Sequence, residues 1–353
     1  MIIILLLTVV VTAILLYLLF WPVPIRPISW KSPAPPAARG DYAPNHRFAG
    51  AQLLPAGGQG PEDVVIDSHN RVYTGLEDGR IMRMQLDGSR LEQFVKTKGR
   101  PLGLVFDASG NLLVADADQG LLSVDPQGEL RVLVDQFESR RLRFTNHLDV
   151  AADGTIYFTE SSDRYSLHDM VSEILESRPN GRLFAHDPQK GETRLIIDDL
   201  YCANGIAIHH QQNFLLVSET TRYRLRRVWL RGPRAGQDDI FIDNLPGFPD
   251  NLHYNGHDTF WLAFVLVRMP IIDKLSGSPF MRQLIYRLPA AIKPKPERYG
   301  YILGLDAAGA ITSNYQDPSG VCAQTSGAVE HKGQLYIGSF SEDFIARLSI
   351  QDM

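Results

Sequence analysis

The sequence predicts an all-β fold, a six-bladed β-propeller that follows an N-terminal transmembrane helix. Six segments share one template, and their spacing of about 40 to 60 residues is typical of propeller blades. An unbroken apolar run at the N-terminus predicts the helix. We therefore assign residues 1–21 to a transmembrane anchor, residues 22–45 to a Pro-rich tether and residues 46–353 to the propeller.

The first element of each repeat is a slot residue, followed by a second residue, a short apolar stretch, a turn and a longer apolar strand. β-Branched and aromatic residues bounded by Gly, Asp and Asn are strand and turn signals. A single four-stranded blade cannot bury both of its faces, so we expect the blades to pack around a central axis. The six pairs of slot and second residues are Glu62-Asp63, Leu102-Gly103, Asn146-His147, Asn204-Gly205, Asp250-Asn251 and Ser326-Gly327.

In four of the six repeats the slot residue carries a hard oxygen donor. These residues are Glu62, Asn146, Asn204 and Asp250. If the repeats close into a ring, the four oxygens converge on one point, which is the arrangement that a Ca²⁺ ion needs. A single Asn or Asp often only caps a turn. Four of them in one register favour a metal site, because buried carboxylates without a cation are costly.

The N-terminal run is long enough to span a bilayer as a helix. Tyr17 and Trp21 suit the membrane interface at its end. Prolines follow it rather than a small-residue cleavage site, which favours an uncleaved anchor over a removed signal peptide. Three basic residues follow the run before residue 40, and taken alone this charge bias would keep the downstream side in the cytoplasm.

Composition and charge exclude several classes of partner and site. The formal net charge of -5 leaves no basic excess, so no nucleic acid partner is expected. Cys202 and Cys322 are too few for a disulfide framework, and a bridge between them cannot be assumed. The sequence has no His or Cys cluster with zinc spacing and no Gly-rich phosphate loop.

Two insertions interrupt the repeats. Residues 161–181 contain apolar residues at helical spacing. Residues 267–301 mix apolar residues with an excess of basic ones. The second insertion could lie on an anionic membrane surface or form a lid over an apolar substrate, or it could be a solvated insertion packed on the propeller rim.

Several stretches of the chain resemble the strictosidine-synthase-like branch of six-bladed propellers, the adipocyte plasma membrane-associated protein family. LPGFPDN at residues 245–251 and ETTRYRLRRV at residues 219–228 are specific for this branch. The resemblance runs from about residue 45 to the C-terminus, and the N-terminal anchor is shared. More distant resemblances are to paraoxonases, gluconolactonase-type lactonases and diisopropylfluorophosphatase. The resemblance implies a membrane-anchored protein with its propeller outside the cytoplasm, despite the charge bias.

The resemblance also implies a catalytic calcium at the bottom of a central pocket. Its ligands fall on the four slot residues found by pattern. In the paraoxonase-like arrangement, Asn251 is a further ligand. The implied ligand set is Glu62, Asn146, Asn204, Asp250 and Asn251.

Three residues are candidates for catalysis. Asp250 is the first, as general base or nucleophile, because it would touch both metal and substrate. His147 and His253 are close to ligands in the sequence and could act as bases. His253 could instead point into its blade. His147 stands where related enzymes often carry an Asp that holds a second, structural calcium, so that second ion is not expected here. The paraoxonase His dyad has no counterpart in the second repeat.

The predicted function is a membrane-anchored, calcium-dependent hydrolase that acts on a small-molecule ester or lactone. Condensation of an amine with an aldehyde, the strictosidine synthase reaction, is not expected because Glu330 lies past the slot at Ser326. One alternative is a non-catalytic propeller that binds a small ligand or a protein partner. Another is a strictosidine-synthase-like protein without condensation activity. Propellers serve all of these roles, so the fold alone does not decide.

Overall fold

The computed structural model describes residues 1–350 of the chain. Six four-stranded antiparallel sheets form a six-bladed propeller, which confirms the predicted fold class. In chain order the strands are β1 (Gln52–Pro55), β2 (Val64–Ile66), β3 (Arg71–Gly75), β4 (Arg80–Gln85), β5 (Glu92–Lys96), β6 (Pro101–Phe106), β7 (Leu112–Asp116), β8 (Gly120–Val124), β9 (Leu130–Val134), β10 (Gln136–Phe137), β11 (Arg140–Arg141), β12 (Thr145–Val150), β13 (Ile156–Glu160), β14 (Gly181–Asp187), β15 (Glu192–Leu200), β16 (Ala203–Ile208), β17 (Phe214–Glu219), β18 (Arg224–Trp229), β19 (Asp238–Ile242), β20 (Gly247–Tyr254), β21 (Phe260–Val267), β22 (Gly300–Leu305), β23 (Ile311–Asp317), β24 (Thr325–His331), β25 (Gln334–Ser339) and β26 (Phe344–Ser349).

Four α-helices and four short 3₁₀ turns complete the described secondary structure. The α-helices are α1 (Ile2–Phe20), α2 (Met170–Glu176), α3 (Pro270–Leu275) and α4 (Pro279–Arg287). The 3₁₀ turns are Gly40–Tyr42, Leu167–Asp169, Thr220–Arg222 and Ala290–Ile292. Helix α1 has no buried residue, and by length and composition it could cross a membrane.

The blades follow each other along the chain, except at the point where the ring closes. Blades 1 to 5 are β2–β5, β6–β9, β12–β15, β16–β19 and β20–β23, and β10 and β11 form a separate small hairpin. Blade 6 combines β24, β25 and β26 with β1, whose residues Gln52 to Pro55 pair antiparallel with Arg347 to Phe344. The N-terminal end of the propeller therefore supplies the outermost strand of the last blade.

The hydrophobic core lies between neighbouring blades. Between blades 4 and 5, for example, Phe214 and Leu216 pack in one cluster with Phe260 and Leu262, and all four are buried. Burial of each such side chain stabilises the fold by about 1.5–3 kcal/mol. The blades thus bury in pairs the faces that none of them could bury alone.

The slot residues stand at irregularities of the innermost strands. The pairing register of β6, β12, β16, β20 and β24 with the next strand shifts across the slot. In blade 1 the slot pair lies immediately before β2. A β-bulge bends its strand and changes where a side chain points. These bulges turn side chains at the slot out of the alternating pattern of the strand.

The two insertions form a helical layer, which we call the cap and define as α2, α3 and α4. The insertion between β13 and β14 contains α2, and the insertion between β21 and β22 contains α3 and α4. Helix α4 contacts α1, α2 and α3. The segment predicted as a tether also reaches the cap, since Ile25 is buried in a cluster with Tyr165, Leu175 and Ile285.

Candidate metal centre

The four polar slot residues meet in one cavity. Glu62, Asn146, Asn204 and Asp250 all line it, although they come from blades 1, 3, 4 and 5. The cavity contains about 630 Å³ of empty space, counting its open mouth. Its other lining residues are largely apolar and comprise Leu102, Phe144, Leu167, Met170, Ile174, Cys202, Thr220, Phe248, Val265, Leu266, Gln324 and Phe340.

The amide side chains at this site use their N–H groups on neighbouring acceptors. Asn146 Nδ2 donates to Ser161 Oγ at 2.9 Å, and Asn251 Nδ2 donates to Glu62 Oε2 at 3.1 Å. Asn204 is hydrogen-bonded to the Asp250 carboxylate. Each amide is thereby fixed with its oxygen directed elsewhere, and within residues 1–350 no hydrogen-bond partner meets the Oδ1 atoms of Asn146, Asn204 and Asn251.

The two carboxylates are buried close to each other. Burial raises the pKa of Glu62 well above its ordinary value, and repulsion from Asp250 and Asp63 adds to the effect. Burial also raises the pKa of Asp250 to about 8, and the hydrogen bond from Asn204 offsets only part of this shift. Arg100 lowers both pKa values but does not outweigh burial. Its guanidinium donates through Nη2 to the Phe340 carbonyl at 2.8 Å.

These contacts leave a set of acceptors without matching donors. Three bare amide oxygens accompany two carboxylates, and buried polar groups without partners are rare in native proteins. A bound cation is the usual partner for such a set of buried oxygens. The donor atoms are all hard oxygens, so the set fits Ca²⁺ better than zinc, for which His and Cys are the usual ligands.

A second polar cluster lies next to the first and involves the residue after the slot. Asp63 Oδ1 lies 2.7 Å from His253 Nε2, and Asp63 Oδ2 lies 3.4 Å from His147 Nε2. Asp63 also accepts the backbone N–H groups of Val64 and Leu104, at 2.8 and 2.9 Å. Possible ligand atoms of Asp63, His147 and His253 lie within 4.8 Å of one another, so this cluster is a possible metal site by distance.

Hydrogen bonds already fill much of this second cluster. The backbone N–H of Ile206 donates to His147 Nδ1 at 3.2 Å, whereas His147 Nε2 lies 3.4 Å from Asp63 Oδ2 and has no hydrogen-bond partner among the described residues. Burial raises the pKa of Asp63, but the interactions with His253 and His147 lower it by more, to well below the ordinary value. Burial lowers the pKa of His253, but Asp63 raises it more. A metal would have to displace donors that Asp63 already has.

The second positions alternate around the ring between a polar side chain and glycine. Blades 1, 3 and 5 carry Asp63, His147 and Asn251, whereas blades 2, 4 and 6 carry glycine. A Cβ atom at Gly205 would lie 2.4 Å from the carbonyl oxygen of Asp250. The glycines therefore leave room at the axis for the neighbouring blades. This alternation is visible in the sequence, and it is a signal that the sequence analysis did not use.

The candidate catalytic residues occupy different places. Asp250 lines the cavity, whereas His147 is buried with one ring nitrogen facing Asp63 and the other facing Ile206. His253 also faces Asp63 rather than the cavity. Glu330 accepts from Trp261 Nε1 at 2.9 Å and from Asn255, outside the cavity lining. Asp250 thus lines the cavity, whereas both histidines face Asp63.

Solved structures with this fold include lactonases and a calcium-binding protein. A gluconolactonase from Xanthomonas campestris has a TM-score of 0.63 at 17% sequence identity, covering 93% of this chain and 98% of that chain. Regucalcin from Agrobacterium tumefaciens, a calcium-binding protein, has a TM-score of 0.59 at 15% identity, covering 84% and 92%. At these identities the likeness establishes the fold alone. The chain is a six-bladed propeller with a lactonase-like fold.

Sequence comparisons identify the family. The family model described as strictosidine synthase matches residues 146–233, and the model described as strictosidine synthase-like, N-terminal, matches residues 40–84. Adipocyte plasma membrane-associated protein from Salmo salar is 36% identical, over 93% of this chain and 84% of its own length. Protein strictosidine synthase-like 4 from Arabidopsis thaliana is 32% identical, over 90% and 85%. This chain belongs to the strictosidine-synthase-like family that contains these two proteins.

Proposed function

We propose that this protein is a calcium-dependent hydrolase of esters or lactones. One observation carries the proposal: buried oxygen acceptors from four blades meet at the cavity, and the amide oxygens of Asn146 and Asn204 have no hydrogen-bond donor among the described residues. The amide oxygen of Asn251, next to Asp250 in the chain, has none either. Glu62, Asn146, Asn204, Asp250 and Asn251 would hold the ion. The lactonase-like fold supports the same reaction class.

A bound Ca²⁺ would polarise the carbonyl of an ester or lactone and stabilise negative charge that develops on its oxygen. Asp250 is the acid–base candidate among the lining residues, because its carboxylate lies at the cavity together with the other residues that would hold the ion. Asn204 holds this carboxylate in place through a hydrogen bond. Asn251 does the same for Glu62, which serves as a fixed ligand.

The cavity walls favour an apolar substrate. Phe144, Phe248 and Phe340 lie on the walls together with aliphatic side chains from the cap and from blade 5. Such walls exclude water and bind hydrocarbon, whereas the polar groups lie together where the slot residues meet. The substrate would present its carbonyl to the slot residues and its apolar body to the walls.

The test is hydrolysis of phenyl acetate and simple lactones by the full chain in detergent, with Ca²⁺ and with a chelator. The chelator is expected to abolish turnover, and Asp250→Asn is expected to lower kcat/KM by about 10²- to 10³-fold. Glu330→Gln is the matched control, since this acid lies outside the cavity, and it should retain wild-type activity. Turnover that survives Asp250→Asn unchanged would overturn the proposed role of Asp250.

A second candidate function is a non-catalytic propeller that binds an apolar ligand. It is favoured by the engagement of His147 and His253 with Asp63, which leaves Asp250 as the catalytic candidate among the described lining residues. Under this alternative Ca²⁺ would raise the unfolding temperature, as any ligand of the native state does, and no ester or lactone would be hydrolysed.

We further propose that helix α1 anchors the protein in a membrane, with the propeller on the extracytoplasmic side. The length and composition of α1 support the anchor, as does the plasma-membrane association in the name of the relatives. The test is labelling of intact cells with a membrane-impermeant lysine reagent. Lysines such as Lys190, whose side chain is 68% exposed, should react without permeabilisation. Labelling only after permeabilisation would place the propeller in the cytoplasm.

A further inference from the structure

The last turn of helix α1 is fixed to the cap. Arg287, at the end of α4, donates through Nε to the Trp21 carbonyl at 2.7 Å and through Nη1 to the Leu18 carbonyl at 3.1 Å. The hydroxyl of Tyr17 donates to the Arg287 carbonyl at 3.3 Å. The last carbonyls of a helix lack partners within it, so a cation is a favourable cap there. Arg287 therefore joins the end of the apolar helix to α4.

The segment after α1 is fixed as well. Its carbonyl and N–H groups are held at successive points by side chains of the propeller and cap, rather than left in solvent. The contacts are Arg164 Nη2 to the Pro24 carbonyl at 2.7 Å, the Arg26 N–H to Glu176 Oε2 at 2.6 Å, Arg282 Nη2 to the Ile28 carbonyl, and Arg268 Nη1 to the Pro33 carbonyl at 2.8 Å. The cap thus has little freedom to move relative to α1.

The length of α1 sets the depth of the cap. Its 19 residues extend about 28 Å, close to the thickness of the hydrocarbon core of a bilayer. The whole helix is then needed to span, so Leu18 and Trp21 lie at the membrane interface. Because Arg287 contacts both, the C-terminal end of α4 lies at that depth too.

Helix α4 carries an apolar face that the protein does not cover. At 100° per residue, Phe280, Met281 and Leu284 fall within an arc of about 100°. Phe280 and Met281 are 47% and 36% exposed. Arg282 and Ile285 lie on the other side of the helix and are buried.

Two elements next to α4, one by contact and one in the chain, also carry exposed apolar side chains. Val171 on α2 is 53% exposed, and Ile292 beyond α4 is 64% exposed. Helix α2 packs against α4. Single exposed apolar residues are ordinary, but a group of them beside a spanning helix marks a membrane contact.

We infer that the cap lies on the bilayer surface, with Phe280 and Met281 inserted in the interfacial region. The partner is the lipid bilayer itself, because the spanning helix is fixed to the same helix that carries the apolar face. Helix α2 is in contact with α4 and also supplies Met170 and Ile174 to the wall of the cavity. The cavity is therefore held beside the membrane surface, from which an apolar substrate can enter.

The test uses single cysteine variants of the full chain in phosphatidylcholine vesicles. Phe280→Cys is labelled with a polarity-sensitive fluorophore, and Val132→Cys is the matched control. Val132 is 52% exposed on β9, the outermost strand of blade 2, and native Cys202 and Cys322 are buried. The label at residue 280 should be quenched by brominated lipid, and its quenching by aqueous iodide should be about three-fold weaker than at residue 132. Equal iodide quenching at the two positions would overturn the inference.

A second variant tests the fixing of the cap. Arg287→Gln removes the guanidinium that joins α4 to α1 and leaves the labelled face unchanged. Iodide quenching at residue 280 should then rise towards that at residue 132. If it does not change while the vesicles retain the protein, Arg287 does not set the depth of the cap.

An activity measurement, which rests on the proposed hydrolase function, separates the two proposals. Phe280→Ser combined with Met281→Ser should slow hydrolysis of a long-chain ester embedded in vesicles by about ten-fold and leave phenyl acetate turnover unchanged. Equal turnover of the embedded ester by variant and wild type would overturn entry from the membrane. If the wild type hydrolyses neither ester, the hydrolase proposal is contradicted, and the quenching result still tests the membrane contact of the cap.

Discussion

Two polar clusters stand side by side near the axis of the propeller, and they differ in how their charges are satisfied. At the cavity, the carboxylates of Glu62 and Asp250 and the amide oxygens of Asn146 and Asn204 lie together, and neither amide oxygen has a donor among the described residues. Around Asp63, one carboxylate receives two backbone N–H groups and faces two histidines. Similar residues thus produce a site that calls for a cation and a site whose carboxylate already has two backbone N–H donors and His253 as partners. The number of donors, rather than the number of acids, distinguishes them.

The largest expected effect comes from breaking the satisfied cluster. Asp63→Ala removes the partner of His253 and leaves buried donors unpaired, so we expect the free energy of unfolding to fall by about 3–5 kcal/mol. Denaturant unfolding of the full chain in detergent measures the change. Calcium affinity of the folded fraction should be nearly unchanged, and a large loss of affinity would show that the two clusters act as one.

The buried carboxylate of Glu173 has only some of its hydrogen-bond partners, so it lies between these two cases and gives a pH-dependent prediction. Glu173 accepts from Ser162 and Asn180 through Oε2, whereas its Oε1 has no partner among residues 1–350. Burial raises its pKa from 4.5 to about 7. The folded state therefore favours the protonated form, and stability is lost as the pH rises from about 4.5 through about 7.

Glu173→Gln should remove this loss. The variant should be more stable than the wild type by about 3 kcal/mol at pH 8, and the difference should vanish near pH 4.5. Unfolding of both proteins across this pH range measures it, and the subtraction cancels groups that they share. A difference that stays constant with pH would show that Glu173 ionises normally.

Calcium removal tests the unsatisfied cluster directly. At a free Ca²⁺ concentration of about 100 times Kd, binding should stabilise the fold by about 2.7 kcal/mol, and a chelator should reverse the gain. Thermal unfolding with Ca²⁺, with Mg²⁺ and with chelator provides the measurement. No response to Ca²⁺ would mean that the bare oxygens are satisfied in some other way.

The last expected effect has the opposite sign to that of Asp63→Ala. Glu62→Gln removes one of two buried carboxylates that repel each other, so without metal at pH 8 the variant should be more stable than the wild type. The same variant should lose most of the response to Ca²⁺. If the Glu62→Gln variant is instead less stable than the wild type without metal, then the Glu62 carboxylate already has favourable partners, as the Asp63 carboxylate does.

The sequence was sufficient to predict the propeller and the equivalent positions of the slot residues in its blades, because the same pattern returns six times. It was also sufficient to bring Glu62 and Asp250 to one cavity, since equivalent positions of a closed ring face one axis. Their role as metal ligands stays a prediction. The β-bulges at the slot residues could not be predicted from the sequence, because a bulge depends on how a strand pairs with the next one.

Other features depend on contacts between distant parts of the chain. The bond between Asp63 and His253 joins residues 190 apart in sequence, and His253 falls inside a strand with no motif around it. Strand β1 has only four residues and lies outside the repeat, so nothing local indicates its pairing with β26. The docking of residues 22–33 involves backbone carbonyls, which every residue has, and so no residue pattern predicted it.

The pairing of β1 with β26 has a consequence for biogenesis. Strand β1 begins 32 residues after the end of α1, whereas β24, β25 and β26 follow the other five blades in the chain. During synthesis β1 is therefore present without its three partner strands until the other five blades have been made. Ring closure must wait for β26, and the exposed edge of β1 in the interval is a natural point of engagement for chaperones.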